Sequence, residues 1–545
     1  MPRDRCRPAS SSGGAVALEP DVDGDGCAGA PSSPCKRPKT QHDGASVVPG
    51  PSTYREMFQW PEQADQACSG HAAAIGMDTE AGSCLRGGKT IYLSTAYTGA
   101  FTVEHVCSCI QQTVSRRFEE PSRFVFWSAW DIDESCRRLI KQAKTPPQHL
   151  FGNVCDRLPE EVVKQMYFIQ QTLLTRAQAQ IQSEKASPTR RKQINETLGQ
   201  RCKEKLVKLA RKAYEKQDAG TAYAYCHIHN EFCCIDPPKD IPNSLRMEAG
   251  GNTCVAFSAA NSTPWRWLHE SAVPCICWLC CVEKQHPHFI LQECSNRFDT
   301  ADTMKLVFQP DQHWETHVVE FASSQIGVPT TRRRKYSWTL NTVAARMLCP
   351  YEDTFLAVMG SVVTLDGHVY FLESTSMKSA WVREQFKRRG VVAPAHCEDM
   401  AWEPHAVLPV GERLRLCKYE KALSASKTPV TIQPIFDLSQ NASVRPAFTD
   451  TFFSLLRNSE PYSTRARRGM AATEIWGVQT IPHPDLFDEG DEIASAFPFP
   501  IDVVNQMSAV EVTTLMGNAM NARAVGMFTY FGLYFACLDR PSNDA

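Results

Sequence analysis

Residues 89–110 read KTIYLSTAYTGAFTVEHVCSCI, and this stretch decides the fold class. Ile91-Tyr92-Leu93 is a short strand-like apolar run. Ser94 to Ala100 is a turn of polar and small residues, and Val103, Val106, Cys107 and Ile110 then recur at helical spacing. The same rhythm repeats downstream. Phe124-Val125-Phe126-Trp127 reads as a second strand ending at Asp131 and Asp133, and Cys136, Leu139 and Ile140 mark a second helix. Alternation of this kind builds an α/β domain, a mostly parallel sheet with helices on both faces. Ligands in such sheets bind at the carboxyl ends of the strands.

Outward from this core the pattern changes. Residues 1–88 are rich in Gly, Ser, Pro, Ala and Asp with little apolar periodicity, the signature of a disordered tail. Lys36-Arg37-Pro38-Lys39 in that tail suits a nuclear-import signal, or equally a solvated patch. Residues 156–225 interrupt the alternation as a charged helical insertion, and 186–217 carry ten Lys/Arg against three Glu, a stripe able to track phosphates. Phe289-Ile290-Leu291 and Lys335–Leu340 are further strands. From 341 to 500 the sequence mixes short strands with Pro and Gly, and Asp366-Gly367 between Phe355–Val363 and His368–Phe371 reads as a hairpin turn. The expected organisation is a tail to 88, an α/β domain over 89–340, a smaller domain over 341–500 and a returning segment over 501–545.

Bulk properties narrow the functional classes. Lys+Arg total 58 against 60 Asp+Glu, so nucleic acid would be held by local patches and not by a global field. The 23 cysteines are scattered, unlike the framework of a small secreted domain. The longest apolar runs, Ala272–Val282 and Gly526–Leu538, fall short of the roughly 20 residues that span a bilayer, so no membrane partner is expected.

Several residues have the chemistry of a site. Ser94, Thr95, Ala96, Tyr97, Thr98 and Gly99 form a small-residue turn before a helix N-terminus, where backbone amides favour anions. Asp131, followed by Ile132, ends a strand where a carboxylate accepts from ribose hydroxyls. Asn153 and Val154 follow a third element and suit a base edge. Cys254 follows Gly250-Gly251-Asn252-Thr253, a tight loop able to present a thiolate nucleophile. Glu293 ends a strand, where a carboxylate can hold an amidine-like base edge, and Arg332, Arg333 and Arg334 supply fixed charge. Cys226, His229, Cys233 and Cys234 have spacing compatible with zinc, but their aromatic neighbours point to packing, so no metal is expected. Cys275, Cys277, Cys280 and Cys281 read as core thiols in an apolar helix.

In this order the residues resemble the motifs of cytosine-5 DNA methyltransferases, in particular divergent eukaryotic members. Leu93–Glu104 looks like the cofactor loop, Trp127–Asp133 the acidic motif and Phe151–Val154 the adenine motif. Thr253-Cys254 corresponds to Pro-Cys, Glu293-Cys294-Ser295 to Glu-Asn-Val, and Gly327–Arg334 to Gly-hydrophobic-Pro-Gln-x-Arg-x-Arg. Gly517-Asn518-Ala519-Met520 resembles the closing Gly-Asn motif, which places Asn518 and Ala519 at the cofactor. The chain departs from the pattern at Ala96 and Thr98, where the family has glycine, and at Asn153, where it has aspartate. The resemblance implies a Rossmann-like class I methyltransferase fold with a helical insertion and a target-recognition domain over 341–500. It implies S-adenosylmethionine as cofactor and DNA as partner, with RNA or a non-catalytic regulatory role as alternatives. It implies a nuclear protein, the cytosol being the other reading. The implied catalytic set is Cys254, Glu293, Arg332 and Arg334.

Overall fold

A computed structural model describes residues 48–538, apart from 217–221, 239–240, 252–254, 258–264, 309–312, 398–402, 427–428, 430 and 444–447. Two parts of the sequence reading, the basic run Lys36–Lys39 and the nucleophile candidate Cys254, lie outside the described residues.

The first strand, β1 (Thr90–Ala96), lies mid-sheet, flanked by β2 (Arg123–Trp130) and by β6 (Ser244–Gly251), both parallel to it. Beyond β2 come β3 (His149–Phe151), parallel, and a hairpin of β4 (Tyr223–Cys226) and β5 (Glu231–Cys234). Beyond β6 come β7 (Phe289–Ser295), parallel, then the antiparallel β9 (Arg333–Asn341), with β8 (Trp314–Ala322) at the edge. The full order is β5-β4-β3-β2-β1-β6-β7-β9-β8. The chain walks one way from β1 to β3 and the other way from β6 to β7, so the topological switch point lies at the carboxyl end of β1.

Both faces of the sheet are buried, which is why the strands read as apolar runs and not as alternation. In β7, Phe289 and Leu291 pack with one cluster while Ile290 and Cys294 pack with the other. The first face is covered by α1 (Trp60–Ala74), α2 (Thr102–Arg117), α3 (Glu134–Lys141) and the helix Ala522–Phe535. The second is covered by α4 (Glu160–Ser183), α5 (Pro188–Tyr214) and α6 (Ala272–Gln285). The four thiols Cys275, Cys277, Cys280 and Cys281 lie buried in α6, in the core position expected of them. No helix of the described residues is long and apolar enough to cross a membrane.

Three expectations need correction. Residues 60–74, read as tail, form α1, whose Trp60, Ala64 and Cys68 are buried against the C-terminal helix. Trp60 is their one large apolar side chain, and the helix is stabilised by this long-range packing and not by its own periodicity. The strand expected at Phe355–Val363 is a helix, Tyr351–Met359, with Tyr351, Phe355 and Met359 buried four residues apart on one face. Asp366-Gly367 is not a hairpin turn: Asp366 accepts from the His368 N–H at 2.9 Å and caps a 3-10 turn. Gly367 is needed there for close approach, since a Cβ would lie 2.5 Å from the Phe452 nitrogen. The region 381–462 carries a smaller apolar cluster around Trp381, Leu416, Tyr419 and Phe436.

Candidate functional site

Parallel strands bring their carboxyl ends to one edge, and the candidate residues follow those ends. Ser94–Gly99 leave β1, Asp131 and Ile132 leave β2, and Asn153 and Val154 leave β3. The segment that holds Cys254 follows β6, and Glu293 is two residues from the end of β7. Arg332 and Arg334 stand at the start of a strand, yet they reach the same edge because β9 runs antiparallel to β7, with Arg334 opposite Ser295.

The β1 turn is tightly held. Tyr97, Gly99 and Phe101 all adopt left-handed backbone, with φ of 56°, 56° and 62°. For the two aromatic residues this conformation costs about 1–2 kcal/mol each. Interactions with β2 offset that cost: the Gly99 N–H donates to Asp131 Oδ2 at 2.8 Å, and the Thr98 N–H to the Trp130 carbonyl at 3.3 Å. Thr98, standing where the resemblance has glycine, is buried and its hydroxyl meets Thr95 Oγ1 at 2.8 Å. Thr95 also donates to Glu104 in α2, a residue that the sequence reading passed over. Its signal was an acid inside the apolar run 103–110. Glu104 is buried, and desolvation raises its carboxyl to a pKa of about 7. Its Oε2 is buried without a hydrogen-bond partner.

Asp131 also accepts the Asp133 N–H at 2.9 Å, and burial raises its pKa against these two backbone donors. Beside it Ile132 is 72% exposed, an apolar surface left uncovered at the strand end. Asn153 caps the following 3-10 turn by accepting the Cys155 N–H at 3.0 Å, and Val154 is buried. A second buried pair supports this side of the sheet: Arg157 lies 3.8 Å from Glu248 Oε2 and 4.5 Å from the Trp130 ring centroid.

Glu293, Arg332 and Arg334 come together. Arg334 Nε is 3.1 Å and Arg332 Nη2 3.7 Å from Glu293 Oε1, and all three side chains are at most 16% exposed. Period-2 alternation puts the two arginines on one face of β9, while Arg333 points away to Glu320 Oε1 at 2.6 Å. Glu293 Oε1 is ion-paired with both arginines but accepts no well-aligned hydrogen bond, so this buried acceptor keeps hydrogen-bonding capacity. With two cations against one carboxylate, the cluster favours an anionic or electron-rich ligand.

Two glycines shape the neighbouring wall. Gly250 and Gly251 pair with Gln292 and Glu293. A Cβ on Gly250 would lie 2.6 Å from the Trp278 ring, and one on Gly251 2.6 Å from Met520 Cε. Met520 belongs to the turn after the helix Ala509–Asn518. In that turn Ala519 is buried and accepts from Arg332 Nη2 at 2.8 Å, while Asn518 is exposed. The chain's last segment thus returns to the Glu293 cluster. The helix runs through Gly517 and Asn518, with Ala519 as its C-cap.

In the basic runs at 387–389 and 465–468, three arginines are held in ion pairs, while Lys387, Arg389 and Arg467 remain exposed. Arg388 pairs with Glu412 and Glu460, Arg389 donates to the Ala406 carbonyl, and Arg465 pairs with Asp366. Arg468 is wholly buried against Glu474. A cavity of about 800 Å³ lined by Phe58, Trp60, His105, Cys109 and Pro482 shares no residue with the candidate site.

No protein-family model matches the sequence, and no curated protein does. Among solved structures, the S. pombe Dnmt2 methyltransferase is 11% identical over 81% of this chain and 98% of its own, with a TM-score of 0.35. A putative DNA modification methyltransferase encoded within an E. coli prophage is 10% identical over 82% and 98%, with a TM-score of 0.36. The Entamoeba histolytica methyltransferase EhMeth is 11% identical over 82% and 98%, at 0.34. The architecture is therefore read from the sheet itself: five parallel strands wound outward from β1, closed by one reversed strand between β7 and β8, give this chain the Rossmann-like class I methyltransferase fold.

Proposed function

We propose that this protein transfers a methyl group from S-adenosylmethionine to C5 of cytosine in DNA, through a covalent bond between Cys254 and the base. The observation that carries the reading is the buried Glu293–Arg332–Arg334 cluster beside Gly251, three residues before that cysteine. Excess positive charge favours a thiolate over a thiol. The Glu293 carboxylate, held by the arginines, suits N3 and the amino group of a cytosine turned out of its duplex.

The residues at the β1, β2 and β3 ends fit the cofactor. Asp131 keeps acceptor capacity for ribose hydroxyls, Ile132 offers an apolar face for the adenine, and a Cβ at Gly99 would meet only the Tyr97 carbonyl, at 3.9 Å, so space remains beside the turn. Asn153 and Val154 border the adenine edge, and Asn518 and Ala519 close the pocket. When bound, S-adenosylmethionine supplies an electrophilic methyl group.

In this reading the Cys254 sulfur adds to C6 while Glu293 holds N3 and the amino group. Electron density moves to C5, which would take the methyl group as the S–CH3 bond breaks and S-adenosylhomocysteine leaves. Loss of the C5 proton to a base then expels the thiolate and restores the aromatic ring. Arg334 and Arg332 hold Glu293 in place and stabilise the developing charge. Exposed cations of α5, among them Lys192, Arg201, Lys205 and Lys208, supply the local basic surface for phosphates. Residues 341–500 serve target recognition, and a nuclear location goes with a DNA substrate.

The test is covalent trapping on duplex DNA containing 5-fluorocytosine with S-adenosylmethionine, beside Cys254→Ser. The fluorine cannot leave as a proton does, so a denaturation-resistant complex is expected for the unmutated chain alone. A complex formed on RNA and not on DNA would transfer the reading to an RNA cytosine methyltransferase. Cofactor binding without trapping on either would leave a non-catalytic regulator.

A further inference from the structure

At the edge of the sheet opposite β8, four ligand-type side chains converge away from the candidate site. Cys226 ends β4, Cys233 lies in β5, His229 sits in the turn between them, and His149 opens β3. The register explains the convergence. Phe151 pairs with Cys226, and Ala224 pairs with Cys233. Residues two apart on a strand share a face, as do paired residues, so His149, Cys226 and Cys233 all project to the same side. Cys234 falls on the other side, with its sulfur 3.9 Å from the Asp236 carbonyl.

The geometry is that of a closed four-ligand shell. One ligand atom from each of His149, Cys226, His229 and Cys233 lies within 4.8 Å of all the others. Cys226 Sγ is 3.5 Å and Cys233 Sγ 3.3 Å from the same atom, His229 Nδ1. A ring nitrogen has a single in-plane site, carrying either one proton or one lone pair, so it cannot serve both sulfurs with good hydrogen bonds. Tetrahedral zinc, with Zn–S of about 2.3 Å and Zn–N of about 2.0–2.1 Å, separates sulfur from nitrogen by roughly 3.6 Å. Both observed separations are close to that edge. His149 Nδ1 is buried and has no hydrogen-bond partner, while its ring lies 5.0 Å from that of His229.

We propose that His149, Cys226, His229 and Cys233 bind one structural zinc ion. All four positions would be filled by protein, which leaves none for a reactive water. The hairpin has reason to be clamped. β4 joins β3 through the single register pair Phe151–Cys226 and a bond from the His227 N–H to the Leu150 carbonyl at 2.6 Å. Its outer residues Tyr223 and Phe232 are 57% and 70% exposed, so little apolar burial holds it. A metal there fixes the hairpin to β3, the strand that leads into Asn153.

The experiment is elemental analysis of the full chain purified from zinc-supplemented culture, with and without substitutions. About one zinc per chain is expected for the unmutated protein and for Cys234→Ser, and loss is expected for Cys226→Ser and His149→Ala. A metal-free unmutated protein would overturn the site, as would equal zinc in Cys226→Ser, or loss in Cys234→Ser with retention in His149→Ala. Should the ligand variants fail to fold, cobalt exchanged into the unmutated chain decides. Tetrahedral absorption with thiolate charge transfer is expected, and an octahedral spectrum would overturn the proposal.

Discussion

Arg332 Nη2 donates to the Ala519 carbonyl at 2.8 Å, across a sequence separation of 187 residues, while the same nitrogen lies 3.7 Å from Glu293. One buried guanidinium thus joins the start of β9, the end of β7 and the returning C-terminal segment. Arg332→Lys keeps the charge but loses the planar guanidinium whose Nη2 meets both partners. The expected cost is about 1–3 kcal/mol in stability, from a buried carbonyl or carboxylate left unsatisfied. Urea unfolding measures it, and an unchanged midpoint would show that the tie is not needed.

Arg468 and Glu474 are both wholly buried and meet through two bonds of 2.7 Å. Arg468→Ala leaves the carboxylate without its counter-charge and should destabilise by about 3–5 kcal/mol. Replacing both by apolar residues, Arg468→Met with Glu474→Leu, should cost much less. A double-mutant cycle in thermal unfolding separates the two, and equal losses would contradict the argument.

Glu104 titrates near 7 in the folded protein against an ordinary value of 4.5, because burial disfavours its charge. A folded pKa raised in this way adds stability that is complete below about pH 4.5 and lost as pH rises through about 7. The range corresponds to on the order of 3 kcal/mol. Glu104→Gln can still accept from Thr95 but cannot ionise. Its advantage over the unmutated chain should therefore grow between about pH 5 and pH 8 in denaturant titrations. A difference that stays constant across that range would exclude the buried carboxyl as the cause.

Gly250 and Gly70 give opposite expectations for the same substitution. Gly250→Ala drives a methyl group into Trp278, 2.6 Å away, and should cost about 1–3 kcal/mol. Gly70 is an exposed residue in α1 with nothing within 4 Å of its Cβ position, so Gly70→Ala should stabilise by about 0.5–1 kcal/mol. Calorimetry of the two variants side by side checks both signs.

Asp131→Asn tests the cofactor reading without touching the catalytic cluster. The amide is a weaker acceptor than the carboxylate for ribose hydroxyls and for the Gly99 N–H. Affinity for S-adenosylmethionine should fall about tenfold or more, in line with the 1.5–3 kcal/mol typical of a charged hydrogen bond. Calorimetric titration reads this directly, and unchanged affinity would remove Asp131 from the cofactor site.

Much of the architecture was legible from residue order alone. The strand–turn–helix units from Lys89 to Ile140 carry strong local periodicity, and the doubly buried strands read as apolar runs for the reason that helices cover both faces. The region after 341 was less legible. Tyr351, Phe355 and Met359 repeat at helical spacing, but the Asp-Gly pair that follows outweighed them, although its glycine is used for packing and not for a turn.

For the candidate site, the sequence by itself determined which residue types stand after each strand, because a parallel sheet gathers its carboxyl ends whatever the loops contain. Only the tertiary structure decided which of them meet. The reversed direction of β9 carries Arg332 and Arg334 to Glu293, and the C-terminal turn delivers the Ala519 carbonyl. The hairpin register admits His149 and turns Cys234 away, although Cys234 is the nearer in sequence. Local propensity acts over a few residues, whereas strand direction and register are set by packing between segments tens to hundreds of residues apart, and that information is not written at any one position.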